Sequence, residues 1–291
     1  MTVAQTSREL SVELLNPRPG RRPKAYPYLS QSIATTLANQ SPLHAWGQHP
    51  LLGGMGGKSS AAMDFGSICH ELLLHQESRM VEIEADDWRT KAARAERDEA
   101  RKAGKIPVLV KEAERARVVT EILRGKLAAL GVVFEGIAER RIQWVEKARS
   151  GRIVECEGTP DHVLVKGNYC FIDDLKTTRS SDPSKFKKSM VDFGYDIQWS
   201  AYTRGCEQVY DRPGRTMMRF IACETEWPFV VSVLAPDGTM RALGTQRWLN
   251  SVETWDQCVH QNTWPDYGGR SDVGAPLWAI HQAAEEMEHD D

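Results

Sequence analysis

The chain lacks a strong excess of charge of either sign. It has 291 residues, with 37 Lys and Arg against 40 Asp and Glu, so its formal net charge is -3. Proteins that coat nucleic acid neutralise its phosphates with a large surplus of Lys and Arg. The balance therefore excludes a charge-driven coat protein, although it is compatible with a local basic groove. The fractions of hydrophobic residues, 41%, and charged residues, 26%, are typical of a folded globular protein.

Long apolar runs are also lacking. No stretch approaches the roughly 18 consecutive apolar residues of a membrane helix, and the N-terminal residues show neither the basic nor the apolar region of a signal peptide. We therefore expect a cytoplasmic protein. The six cysteines are scattered and include no C-x-x-C pair, which predicts buried free thiols rather than disulfides, structural zinc or an iron–sulfur cluster.

Composition changes along the chain divide it into three parts. Residues 1–26 are polar and rich in proline, which predicts a flexible N-terminal arm. Residues 27–270 form a single folded domain, within which residues 82–105 are a charged helical insertion. Residues 271–291 form a C-terminal tail with an acidic end.

Hydrophobic periodicity predicts an α/β fold. Apolar spacing of about 3.6 residues predicts helices over 61–75, most of 79–126, 196–210 and 244–262, and a further helix capped by Ser30. A period of two predicts strands over 136–145, 152–156, 162–166, 169–175, 218–223 and 228–234. We expect a central mixed β-sheet flanked by helices.

The most informative segment contains a predicted hairpin. Gly167 and Asn168 separate two apolar runs, as in a two-residue β-turn. The resulting register places Asp161 opposite Asp174, with β-carbons about 5 Å apart on one face. Two unneutralised carboxylates would repel each other there, whereas Mg²⁺ or Mn²⁺ would bind both. The alternative is a hairpin whose acids merely face solvent.

Neighbouring residues extend this candidate centre. Lys176 lies on the same face as Asp174, while Leu175 turns away and offers its backbone carbonyl as a further metal ligand. A metal held by Asp161 and Asp174 would polarise a phosphodiester and activate a water, and Lys176 would orient that water or stabilise developing charge. The sequence therefore predicts metal-assisted phosphodiester hydrolysis.

Three motifs give the chain a family resemblance. Pro160-Asp161 followed by Asp174-Leu175-Lys176 resembles the PD-(D/E)xK nuclease signature. Gly66 to His70 is similar to the G-x-x-x-H motif of the RecB-like branch, and Gln198 to Tyr202 is similar to its Q-x-x-x-Y motif. In order over residues 26–268, these and flanking segments resemble the exonuclease VIII (RecE-type) nuclease domain of phages and prophages.

The resemblance implies a restriction-endonuclease-like core with Mg²⁺ or Mn²⁺ as cofactor. It also implies that His70 is a metal ligand, and that Gln198 and Tyr202 contact the DNA backbone or support Lys176. The implied activity is 5′ to 3′ exonuclease digestion of double-stranded DNA ends for phage-type recombination. The implied partners are further copies of the chain in a ring and a single-strand annealing protein, in a bacterial or phage-infected cell.

Other residues and functions stay open from the sequence. A bulge or a one-residue shift would bring Asp173 into the site, and Glu157 is a further metal ligand only if Pro160 introduces no kink. A basic loop after Lys176 either contacts DNA phosphates or is simply solvated; it contains Arg179, Lys185, Lys187 and Lys188. The alternative functions are a structure-selective endonuclease or repair nuclease, and a DNA-binding recombination module with a vestigial centre.

Overall fold

The computed structural model describes residues 26–54, 61–75, 79–132, 134–269 and 272–282, and for residues 61–65 and His75 it describes the backbone alone. The predicted arm therefore lies outside the described residues except for its last residue, Tyr26. The helices are α1 (Gln31–Asn39), α2 (Pro42–Gln48), α3 (Ala61–His75), α4 (Lys91–Lys102), α5 (Val110–Ala129), α6 (Pro183–Asp192), α7 (Tyr195–Val209) and α8 (Gly238–Gln261).

The strands form three sheets. They are β1 (Leu29–Ser30), β2 (Met80–Ile83), β3 (Ile106–Leu109), β4 (Ile137–Ala138), β5 (Ile142–Lys147), β6 (Ile153–Gly158), β7 (His162–Lys166), β8 (Tyr169–Thr178), β9 (Thr216–Glu224) and β10 (Val231–Leu234). The main sheet has five strands in the order β10-β9-β8-β7-β4, and the others have the orders β1-β6-β5 and β2-β3.

The main sheet is mixed, as the sequence predicts. Its middle strand, β8, runs antiparallel to β7 and parallel to β9. The outer strands β10 and β4 are each antiparallel to their neighbours. β8 is therefore hydrogen-bonded to a strand on each side. Its successive side chains point alternately to the two faces of the sheet.

Hydrophobic cores cover both faces of the main sheet. On one face, Ile172 and Phe220 pack with α1, α6, α7, α8 and the second sheet. On the other face, Leu175 and Ile221 pack with α3 and α5. β8 and β9 each contain four consecutive buried residues, 172–175 and 220–223, as is typical of a sheet enclosed by helices on both faces.

The segment predicted to be largely helical, residues 79–126, is only partly so. β2 and β3 are parallel and are joined by α4, which makes residues 80–109 a small β-α-β unit rather than a purely helical insertion. Ile83 and Val108 are buried and anchor its two strands. The buried face of α5 is formed by Ala116, Val119, Leu123 and Leu127, while Val118 is 59% exposed.

The continuous strand predicted over 136–145 is also interrupted. The chain leaves the main sheet after β4 and enters the second sheet at β5. Glu139, between the two strands, has a left-handed backbone with φ of 44°, and such a conformation cannot continue a strand. All six cysteines are free and buried, as predicted. In the described part of the chain no helix is long and apolar enough to cross a membrane.

Candidate active site

The hairpin forms with the predicted register. Lys166 pairs with Tyr169 and His162 with Asp173. Asp161 directly precedes β7, just outside the ladder, and its Oδ2 accepts a hydrogen bond from the backbone N–H of Leu175 at 2.7 Å. The two predicted acids therefore lie at the same end of the hairpin, and Asp161 is fixed by backbone next to Asp174.

Asp174 is the most buried acid of the site, with no exposed side-chain surface. Its Oδ2 accepts a hydrogen bond from Gln198 Nε2 at 2.7 Å. Its Oδ1 contacts the Lys176 ammonium as an ion pair, but among the described residues it accepts no hydrogen bond of good geometry. Burial and the charge of Asp161 raise the pKa of Asp174 to about 6, against the opposing effect of Lys176.

Lys176 shares the face of Asp174, as the strand period requires. Its Nζ lies 4.7 Å from the centre of the Tyr195 ring. Burial alone would lower the pKa of this ammonium, but the charges of Asp174 and Asp161 outweigh burial and raise it. Lys176 is therefore a charged group held against the acids, and its side chain is still 16% exposed.

His70 reaches the same place from α3. Its Nε2 lies 2.9 Å from Asp161 Oδ2. Gly66 allows this approach, since a β-carbon there would lie 2.8 Å from Thr177 Oγ1 at the end of β8. Burial lowers the pKa of His70, but its interactions with Asp161 and Glu139 outweigh burial and raise the pKa to about 10. The structure thus gives the glycine and the histidine of the G-x-x-x-H motif separate physical roles.

Sequence reasoning missed Glu139 and Arg79. Glu139 Oε1 lies 3.7 Å from His70 Nδ1, on the side of the ring away from Asp161. Its Oε2 lies 2.9 Å from Arg79 Nη2, and Arg79 also binds the buried carboxylate of Glu71 at 2.6 Å. No local motif marks these residues, because they meet only after β4 and α3 have packed.

Gln198 and Tyr202 both make hydrogen bonds next to the two acids. Both are only 5% exposed on α7, which packs directly on β8. Gln198 binds Asp174 rather than Lys176, and the Tyr202 hydroxyl donates to the Thr159 carbonyl at 3.3 Å. They therefore support the two acids from inside the protein, and their contact with a DNA backbone stays a prediction.

Two open candidates lie elsewhere. Asp173 points to the opposite face of the sheet, where it binds His162 and Arg219, and there is no bulge to bring it into the site. Glu157 is on β6 in the second sheet, and its carboxylate pairs with Arg141. In this structure Glu157 binds Arg141 rather than a residue of the site, so its role as a further metal ligand stays a prediction.

The basic segment after β8 is mostly helix rather than loop. Asp182 caps α6 by accepting from Ser184 N–H, and Pro183 occupies the first turn. Phe186 and Met190 anchor the helix in the core. The predicted basic residues all remain exposed beside it or on its outer face: Arg179, Lys185, Lys187 and Lys188.

The donor set suits a divalent metal, although it is not preassembled. Among the described residues, no group of three or more His, Cys, Asp or Glu side chains is already spaced to hold a metal ion. His70 instead contacts Asp161, and Lys176 contacts Asp174. The imidazole and carboxylates are nevertheless the ligand types that Mg²⁺ or Mn²⁺ accepts, and Asp174 Oδ1 is buried without a hydrogen bond in the described structure.

Comparison with solved structures supports the fold. A candidate exonuclease from Eubacterium rectale superposes with a TM-score of 0.54 and 10% sequence identity, over 98% of this chain and 98% of that chain. The protein SSO0001 aligns over 66% of this chain and 84% of its own length at 13% identity, but its TM-score of 0.29 is too low to indicate a shared fold. No curated protein matches the chain.

The mixed sheet, the flanking helices and the acids at the end of the hairpin define a PD-(D/E)xK nuclease fold. The family model described as PDDEXK-like domain of unknown function (DUF3799) matches residues 32–274, so the chain belongs to this family. The superfamily resemblance seen in the sequence is thereby confirmed. Family and fold together support a nuclease, a hydrolase of phosphodiester bonds, and such nucleases generally use divalent metals.

Proposed function

We propose that this protein is a metal-dependent exonuclease that digests linear double-stranded DNA from its ends, with 5′ to 3′ polarity. One observation carries the proposal: Asp161, Asp174 and Lys176 converge with His70 at one end of the β7–β8 hairpin. The sequence resemblance to RecE-type domains supports the finer choice of exonuclease and polarity.

His70, Asp161, Asp174 and the Leu175 carbonyl would hold Mg²⁺ or Mn²⁺. When bound, the metal would polarise the scissile phosphate and lower the pKa of an attacking water. Gln198 keeps one oxygen of Asp174 occupied, which leaves Oδ1 directed toward Lys176. Lys176 supplies a fixed positive charge that stabilises negative charge developing on the phosphate.

The surroundings of the site suggest how DNA is held. The exposed cations of α6 follow directly after the strand that carries Asp174 and Lys176. Contacts from such side chains to phosphates would be independent of base sequence, as a processive exonuclease requires. We further propose that the protein acts in bacterial or phage-infected cells as a homo-oligomeric ring, and exposes single strands for an annealing protein during recombination.

Purified protein incubated with Mg²⁺ or Mn²⁺ and two forms of duplex DNA tests the activity. Linear duplex labelled separately at each 5′ and 3′ end should be digested from the 5′ termini, while closed circular duplex stays intact. Cutting of the circle would instead favour a structure-selective endonuclease or repair nuclease. Inertness toward linear, circular, nicked and branched DNA would favour a binding module with a vestigial centre.

Variants of the centre test the mechanism. Asp174→Asn and Lys176→Gln should each lower the rate of linear-duplex digestion by at least about 10²-fold, since the first removes the charge of a metal ligand and the second removes the positive charge beside the reacting phosphate. Lys166→Gln is the matched control, because Lys166 is exposed at the opposite end of the hairpin. Full metal-dependent activity in folded Asp174→Asn protein would exclude this centre.

A further inference from the structure

Glu139 contacts both His70 and Asp161, whose side chains lie next to each other in the site. Its backbone N–H donates to the Asp161 carbonyl at 2.9 Å. Its carboxylate Oε1 lies 3.7 Å from Nδ1 of His70, whose other ring nitrogen lies 2.9 Å from Asp161 Oδ2. One residue therefore touches the main chain of the acid and the far side of the imidazole.

The backbone of Glu139 is held in an unfavourable conformation. Its φ of 44° lies in the left-handed region, which side chains other than Gly, Asn and Asp rarely adopt. The residue stands where the chain leaves the main sheet and enters the second sheet. Strain of this kind persists only where surrounding contacts fix it, and it is common at functional sites.

Arg79 fixes the carboxylate of Glu139 from behind. Arg79 Nη2 lies 2.9 Å from Glu139 Oε2. The same guanidinium binds Glu71, whose carboxylate also accepts from the Arg79 backbone N–H at 2.7 Å. Glu71 adjoins His70 on α3, so Arg79 links the helix that carries the histidine to the turn that carries Glu139.

We propose that Glu139 is a positioning residue, which orients His70 so that its Nε2 faces Asp161 and Asp174 as a metal ligand. Histidines that bind metals commonly present their second ring nitrogen to a carboxylate, which fixes the orientation of the ring. Glu139 does this for His70, and Arg79 sets the position of Glu139. The inference rests on the proposed metal-dependent function, and it adds a residue that makes no contact with substrate.

Binding of Mn²⁺ alone, measured by calorimetry without DNA, tests the proposal directly. Glu139→Gly suits the left-handed backbone but removes the carboxylate, and should weaken Mn²⁺ binding by about 10–100-fold. Glu139→Gln keeps the side-chain length and an acceptor oxygen, and its affinity for Mn²⁺ should fall less. Glu135→Gln, at an exposed acid on the same segment, is the matched control and should bind Mn²⁺ like the parent.

Activity gives a second measurement. In the Glu139 variants, the Mn²⁺ concentration needed for half-maximal digestion should rise by the same factor, while the rate at saturating Mn²⁺ should largely recover. A purely structural role would lower the melting temperature without this selective change in metal requirement. Parental Mn²⁺ affinity in folded Glu139→Gly protein would overturn the inference and leave the proposed function intact. A parent protein that neither binds Mn²⁺ nor cleaves DNA would overturn both.

Discussion

His162 and Asp173 hydrogen-bond across the β7–β8 ladder, with 3.1 Å between Nδ1 and Oδ2. Each directly adjoins one of the site's two acids, and the pair lies on the opposite face of the sheet from Asp174. His162 Nε2 accepts from the Gly136 N–H at 2.9 Å, so Nδ1 carries the ring proton and donates to Asp173. The buried pair of His162 and Asp173 therefore stabilises, from the opposite face of the sheet, the register that brings Asp161 and Asp174 together.

Replacing His162 with alanine should destabilise the protein. His162→Ala leaves the Gly136 N–H without its acceptor, removes one partner of the buried Asp173 carboxylate, and opens a cavity. We expect the free energy of unfolding to fall by about 2–4 kcal/mol. Urea denaturation measures the change, with His281→Ala, at an exposed histidine, as the control. Equal stability of His162→Ala and the parent would show that the pair contributes nothing to the hairpin.

The contact between α7 and α8 should not tolerate a methyl group at Gly244. A β-carbon there would lie 2.2 Å from the backbone carbonyl oxygen of Asp196, so the helices would have to separate. We expect Gly244→Ala to cost about 1–3 kcal/mol of stability. Gly125→Ala is the matched control, because it lies within α5 with no atom within 4 Å of an added β-carbon.

The two alanine variants should differ in sign. Gly125→Ala should stabilise α5 by about 0.5–1 kcal/mol, because alanine restricts the unfolded chain more than glycine does. Thermal denaturation of the two variants side by side checks both values. If Gly244→Ala were as stable as Gly125→Ala, the close approach of α7 and α8 would be refuted.

The lysines of α6 should give DNA binding its salt dependence. Replacing Lys185, Lys187 and Lys188 with glutamine removes three exposed charges beside the catalytic strand. We expect the slope of log K against log salt to become shallower by about 0.9 for each phosphate that the protein no longer neutralises. Binding is measured in an Asp174→Asn background, so that the DNA stays intact. Lys166→Gln should leave the slope unchanged, and an unchanged slope in the triple variant would exclude α6 from the DNA interface.

Asp256 should contribute stability that disappears in acid. Two oxygens of this acid bind the Arg152 guanidinium at 2.7 and 2.6 Å, and the hydrogen bonds from Arg152 lower the pKa of Asp256. A carboxyl with a lowered folded-state pKa stabilises the fold above its unfolded pKa of about 3.9 and loses that contribution as pH falls through the folded value.

Melting temperatures at neutral and acidic pH test this linkage. Asp256→Asn should melt below the parent at pH 7, and the difference should shrink as pH falls below about 4. Asp272→Asn, at an exposed acid, should melt like the parent throughout. A difference for Asp256→Asn that stays constant from neutral pH into acid would show that the deficit arises from something other than the charge.

Local signals in the sequence were sufficient to predict the β7–β8 hairpin. They were not sufficient to predict all of the elements that pack around it. The two-residue turn at Gly167 and Asn168 determines the register, and the register places Asp161 beside Asp174 without further information. Ser30 caps α1 as its position predicts. Asp182 and Pro183 also form a helix-start signal, so the exposed lysines could have been assigned to a helix from sequence alone.

Other features depend on packing between distant segments. β2 and β3 are each four residues long in charged sequence, so their pattern is too short to distinguish from a helix. Glu139 belongs to the site because β4 and β5 join different sheets and α3 packs nearby, and none of these relationships has a local signature. The resemblance identified Gln198 and Tyr202, but only the packing of α7 on β8 shows that they support the acids from within.

Because β8 pairs with a strand on each side, the hairpin cannot accommodate insertions or deletions between Asp161 and Asp174. One residue added to or removed from the segment between Asp161 and Asp174 would shift a strand by one step and turn an acid to the wrong face. By contrast, the β-α-β unit of residues 80–109 forms a sheet separate from the main one, and its connections could grow or shrink without moving the acids. Among natural relatives of this chain, length variation should therefore accumulate in the β-α-β unit and be absent from the hairpin.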